Sequence, residues 1–191
     1  MWKARALLIT THLLVPAWLL FWMATCIGTS EVEWLLWSSM TGAFVLFLFL
    51  VGRWDWVSWY LRYALVGAFA LTFACCSRRS LLGYGHAPPS HHWAFLSVEV
   101  VLLFLFLFLD LSALRGYFFS DPPILVHFPL GDGLYYVGQG GNSQLINAHQ
   151  KVLAQRYAVD VVRVSRLGTR PPNAGPPCHP RRRSENTYRR A

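Results

Sequence analysis

Four stretches of the chain are almost unbroken in apolar character: residues 6–27, 34–51, 56–76 and 93–113. Each approaches the ~20 apolar residues that an α-helix needs to cross the hydrocarbon core of a bilayer, so the pattern predicts four transmembrane helices within residues 1–120. Trp34, Trp37, Trp54, Trp56, Trp59, Tyr60 and Trp93 mark their ends. Such rings keep a polar edge wet while the body enters hydrocarbon. After Asp121-Pro122-Pro123 the pattern changes. Two β-prone runs, 124–128 and 134–137, flank the turn signal Gly131-Asp132-Gly133 and predict two strands. Residues 155–164 alternate polar and apolar over part of their length and predict a third strand, with Asp160 directed away from the core. From residue 168 Pro and Arg displace the apolar residues, which predicts a disordered tail over 168–191. The expected fold class is a mainly α-helical membrane protein with about four transmembrane helices, then a short, incomplete β-rich domain over 121–167, then the tail.

Composition narrows the function classes. Hydrophobic residues make up 54% and charged residues 14% of the 191, well below the roughly 25% charged residues of an average soluble domain. This excludes a disordered chain and points to the lipid bilayer as the main partner. The net charge is +8, but the tail from Gly168 carries +5 of it with Tyr188 as its one aromatic residue, so no series of rings interleaves the arginines for base stacking. Nucleic acid is therefore not an expected partner. Cys26, Cys75, Cys76 and Cys178 have no zinc-type spacing, and adjacent Cys75 and Cys76 could pair only as a strained vicinal disulfide.

The first apolar run follows Lys3 and Arg5 like a signal-peptide n-region, yet its length and the internal Pro16 favour an uncleaved anchor. Met23-Ala24-Thr25-Cys26 is a poor lipoprotein site. Lys3, Arg5, Arg53 and Arg115 fall on one side of the predicted bundle and Arg78 and Arg79 on the other, which places the N-terminus in the cytoplasm. Four spans return the segment after residue 113 to that same side. Arg62, Glu99 and Asp110 lie in or near apolar spans. Either Arg62 and Glu99 pair between helices, or Arg62 and Asp110 snorkel from helix ends and leave Glu99 as the deep charge. A transport pathway through the bundle would rest on Glu99 and Arg62.

A set of short motifs in the β-prone segment runs in a familiar order: Phe128-Pro129-Leu130, Tyr135-Tyr136-Val137, Gly138-Gln139-Gly140-Gly141-Asn142-Ser143, Asn147-Ala148-His149 and Gln155-Arg156-Tyr157-Ala158-Val159-Asp160. Over about residues 124–168 the chain resembles the N-terminal part of the catalytic domain of membrane-anchored lysostaphin/LytM-type zinc metallopeptidases. The resemblance implies a Zn2+ ion, with Asp160 at the position of the family's aspartate ligand. Three protein ligands leave a fourth position for a water of lowered pKa that attacks a peptide carbonyl. The family's usual histidine, four residues before the aspartate, is Arg156 here, a permanent cation that cannot ligate zinc. His149, eleven residues before Asp160, matches the Asn-x-His of the subgroup and supplies the nitrogen if the intervening segment folds back.

The family's later His-x-His pair has no counterpart after Asp160. The abrupt switch to a Pro- and Arg-rich tail is expected of out-of-frame translation or a degraded gene, with a catalytic domain truncated and inactive as written. His179 is the sole histidine after Asp160, and His86, His91 and His92 form a second cluster whose simpler reading is a polar interfacial loop. By resemblance, an intact relative is a cell-envelope endopeptidase acting on peptides or peptidoglycan at a bacterial inner (cytoplasmic) membrane. The alternative is a non-catalytic accessory protein whose helices and β appendage bind a membrane-protein partner.

Overall fold

A computed structural model describes residues 2–25, 30–81, 93–118 and 130–170. The first apolar run forms α1 (Trp2–Ile9), a π-helical turn (Thr10–Leu14) and α2 (Val15–Thr25). Pro16 explains the interruption. Lacking an N–H, it cannot donate to the His12 carbonyl, and its ring crowds that oxygen; the wider turn relieves both, with Val15 N–H donating to Thr10 O.

Helix α3 (Glu31–Val51) begins one turn earlier than the hydropathy pattern indicates, because Ser30 and Glu33 form a capping box. Glu33 N–H donates to Ser30 Oγ at 3.3 Å, and Ser30 N–H donates to Glu33 Oε2 at 3.0 Å. The box satisfies two of the N–H groups that every helix start leaves open. Helices α4 (Trp59–Leu81) and α5 (Trp93–Arg115) complete the bundle. Four helical stretches, Ala6–Thr25, Glu31–Val51, Trp59–Arg78 and Trp93–Arg115, are long and apolar enough to cross a membrane. Helix α3 is central and packs on α5, α4 and α2. Phe44 and Phe47 meet Phe106 of α5, Trp34 stacks on Phe73 of α4, and Trp37 contacts Trp18 of α2. The outward faces are apolar as well: Leu71, Val101, Phe104 and Phe108 are 66–68% exposed, the inverse of a water-soluble bundle.

Three expectations for the spans need correction. Arg62 does not pair with Glu99; it donates to Tyr63 Oη at 2.8 Å and lies 4.7 Å from the Phe49 and Tyr63 ring centroids. These residues sit near the starts of α4 and α5, which lie at opposite ends of the bundle because the two helices run in opposite directions. Asp110 does not snorkel: it is 2% exposed, and both carboxylate oxygens are buried without a hydrogen-bond partner. Trp54 is no interfacial girdle residue. It is 0% exposed, donates from Nε1 to Leu48 O at 2.8 Å and meets the His12 ring edge-on at 5.0 Å. Cys75 and Cys76 are not joined in a disulfide.

Beyond α5, strands β1 (Tyr135–Gln139) and β2 (Asp160–Arg163) pair antiparallel in a two-stranded sheet. The expected strand at 155–164 begins only at Asp160, because Leu153–Gln155 is a 3-10 turn. The strand expected at 124–128 lies outside the described residues, as do residues 171–191 of the tail expected at 168–191; residues 168–170 of that tail are instead hydrogen-bonded to the α3–α4 loop and to Ser165.

Two clamps hold this β unit to one end of the bundle. Asn142 N–H donates to Gly116 O, at the end of α5, at 2.7 Å. Gly116 and Gly141 approach so closely that a Cβ on either would come within 2.7 Å of Ile146 Cδ1. The second clamp grips the α3–α4 loop: Ser58 Oγ donates to Leu167 O at 2.8 Å, Trp59 N–H to Gly168 O at 3.1 Å and Arg170 N–H to Asp55 O at 2.7 Å.

Candidate functional site

The residues 140–160 form the fold-back on which the expected ligand pair depends. Asn147 organises it. Its side chain is 0% exposed; Nδ2 donates to Gly141 O and Arg156 O, each at 3.0 Å, while Oδ1 accepts from His149 N–H at 3.1 Å. The last contact caps the 3-10 turn Ala148–Lys151. One buried amide therefore ties the glycine turn after β1, the segment before β2 and the backbone of His149 together. A second amide helps: Gln150 Nε2 donates to Asn142 O at 2.7 Å.

Asp160 reaches the same place from β2. A register shift in β1 between Val137 and Gln139 sets Asp160 opposite Gln139 instead of continuing the ladder from Val137–Val161. Bulges of this kind re-aim a side chain at the end of a strand. The result is a contact of 3.2 Å between His149 Nε2 and Asp160 Oδ1, with side-chain exposures of 32% and 51%. The structure thus brings together the two residues that the sequence motifs single out. Arg156 turns its guanidinium over the Tyr157 ring at 4.9 Å.

The donor chemistry and spacing suit a zinc ion. Neighbouring ligand atoms on a tetrahedral zinc stand about 3.4 Å apart when Zn–N and Zn–O are near 2.1 Å, close to the observed separation. A third protein donor is not part of the arrangement: among the described residues no group of three or more His, Cys, Asp or Glu could hold a metal ion. His86, His91, His92, His179, Cys26 and Cys178 lie outside the described residues.

Next to the pair, between the bundle end and β1, lies a cavity of about 640 Å³. Tyr136 reaches across it, donating from Oη to Gly52 O at 3.4 Å. Burial pushes its phenol above the ordinary value, an effect partly offset by Arg62. At the rim, Asp55 is 0% exposed and accepts from Arg53 Nε at 3.1 Å and Nη2 at 3.2 Å, with Arg170 Nη2 at 3.7 Å. Those hydrogen bonds raise the Arg53 pKa further. Sequence reading passed over this knot; a lone acidic residue flanked by Trp54 and Trp56 between two apolar spans was the available signal. No family model matches the chain, and no curated protein or solved structure matches it either.

Proposed function

We propose that the chain is a multi-pass membrane protein whose β unit carries two of the three protein ligands of a LytM-type zinc metallopeptidase site, His149 and Asp160. The observation that supports this reading is the 3.2 Å approach of these side chains across a fold-back of eleven residues. When bound with an open coordination position, zinc supplies a water of lowered pKa that can attack a peptide carbonyl. The chain's own contribution is positional. Asn147 fixes the backbone of His149, the β1 bulge aims Asp160, and both side chains remain reachable from solvent. Zinc takes the lone pair of His149 Nε2, which the neutral imidazole carries.

With two protein donors among the described residues, the reading extends to metal binding and not to peptide hydrolysis. Peptides and peptidoglycan are the substrate class of an intact relative, in a bacterial inner membrane setting. Zinc competition titrations on the full chain test it: Asp160→Asn and His149→Ala are each expected to weaken zinc at least tenfold, in the range that loss of one ligating interaction produces. Equal zinc affinity in all three proteins would remove the reading.

One observation favours a second reading. The pair is satisfied without metal, as a hydrogen bond between His149 and Asp160, so it also serves as a structural latch in a non-catalytic protein that binds a membrane partner. Under that reading Asp160→Asn lowers the stability of the β unit and zinc has no effect on it.

A further inference from the structure

Residues 165–168 form a tight turn: Gly168 N–H donates to Ser165 O at 2.9 Å, so Arg166 and Leu167 occupy its two central positions. Thr169 closes the neck of the turn, its carbonyl accepting from Ser165 N–H at 2.9 Å and its Oγ1 lying 3.0 Å from Ser165 Oγ. Leu167 is 77% exposed, and Arg166 is exposed without an ion-pair partner among the described residues. A single exposed leucine needs no explanation by itself, but the position of this one gives it a role.

The turn is seated on the start of α4. Trp59 N–H donates to Gly168 O at 3.1 Å, Ser58 Oγ donates to Leu167 O at 2.8 Å, and a Cβ on Gly168 would fall within 3.0 Å of ring atoms of both Trp59 and Tyr60. Trp59 is also the first residue of the apolar stretch Trp59–Arg78, which is long enough to cross a membrane. The headgroup layer on each side of a bilayer is only about 5–7 Å deep, and Trp and Tyr rings gather in it. A turn hydrogen-bonded to the first residue of a span therefore lies in that layer. An arginine beside a leucine suits it, because a guanidinium meets lipid phosphates while an apolar side chain meets the upper acyl carbons. We propose that the Arg166–Leu167 turn docks the β unit on the lipid bilayer, with Leu167 at the acyl boundary and Arg166 among the lipid phosphates. The inference rests on the reading of the apolar helices as membrane spans and is independent of zinc at His149 and Asp160.

The test places a nitroxide at residue 167, through Leu167→Cys in a full chain whose Cys26, Cys75, Cys76 and Cys178 are replaced by alanine, reconstituted in phosphatidylcholine vesicles with and without phosphatidylglycerol. Molecular oxygen concentrates in lipid and a neutral nickel chelate in water, so collisions with the two report depth. Relative to a free nitroxide, the label is expected to collide more with oxygen and less with the nickel chelate. Gly168→Ala, strained at a φ of +73° and crowded against Trp59, unseats the turn and reverses that order. Arg166→Glu sets a carboxylate among lipid phosphates and shifts the label toward water, more so when phosphatidylglycerol is present. A label that favours the nickel chelate in the otherwise unchanged turn overturns the proposal, as does a depth that neither Gly168→Ala nor Arg166→Glu alters. Flotation of the same vesicles checks the membrane reading separately: a chain that floats while its label stays in water refutes the docking alone, and a chain that does not float refutes both.

Discussion

Replacing Asn147 by alanine probes the mechanism by which the fold presents His149. The substitution removes three hydrogen bonds of 3.0–3.1 Å made by a side chain that is 0% exposed. At about 1 kcal/mol net for each bond, the loss is about 3 kcal/mol, and the Gly141 and Arg156 carbonyls are left to find other donors. A two-stranded sheet has little independent stability, so the loss should appear as local opening of the β unit, with the bundle unaffected. Amide hydrogen exchange on the full chain in detergent reads this directly. About 3 kcal/mol corresponds to an acceleration of roughly a hundredfold for the amides of β1 and β2, with α3 and α5 unchanged. Asn147→Asp should be at least as damaging, since it keeps the acceptor for His149 N–H but sets a carboxylate against two carbonyls. An acceleration of less than roughly fivefold would show that the side chain does not hold the fold-back together.

Other consequences follow from the same contacts. Gly141→Ala combines a φ of +116° with a Cβ only 2.5 Å from Ile146 Cδ1, so it should destabilise the β unit by roughly 2 kcal/mol or more, measured by the same exchange experiment. Asp55→Asn leaves the partly exposed Arg53 and Arg170 without their shared anion; a loss of about 2 kcal/mol is expected, seen as faster tryptic cleavage after Arg163 and Arg166 with the bundle intact. Trp54→Ala empties a fully buried site against His12 and should lower the thermal stability of the whole chain by about 3–5 kcal/mol. Because burial raises the folded-state pKa of Tyr136, the unfolded chain loses its phenolic proton first as pH rises. The stability contributed by neutral Tyr136 is complete below the ordinary pKa of 10.0 and declines as pH rises through the folded value; Tyr136→Phe should flatten that decline in alkaline melts.

The apolar helices were legible because span detection sums many residues, and an error at one position changes little. Their precise ends were not: the Ser30–Glu33 capping box lies in a polar stretch that hydropathy ignores, and the π turn depends on where the Pro16 ring meets the preceding turn. The His149–Asp160 pair was legible through motif order, although its closure depends on Asn147 and on the β1 bulge, neither of which periodicity reveals. Trp54 and Asp110 were misread for the same physical reason. Whether a Trp or Asp near a helix end faces the interface or the interior is decided by the neighbouring helix, and no window along one segment contains that helix. The early strand start expected at 155 failed because local polar–apolar alternation also suits a 3-10 turn held by Asn147.

The central claim, that the β unit holds a metal between His149 and Asp160, is tested most directly by counting zinc in the full chain after purification without chelator, loading with zinc and removal of unbound metal in metal-free buffer. The account predicts close to one zinc per chain in the parent protein after loading, and a loss to background in both His149→Ala and Asp160→Asn while the helical content stays unchanged. Background zinc in the loaded parent, or full retention in both variants, would contradict it.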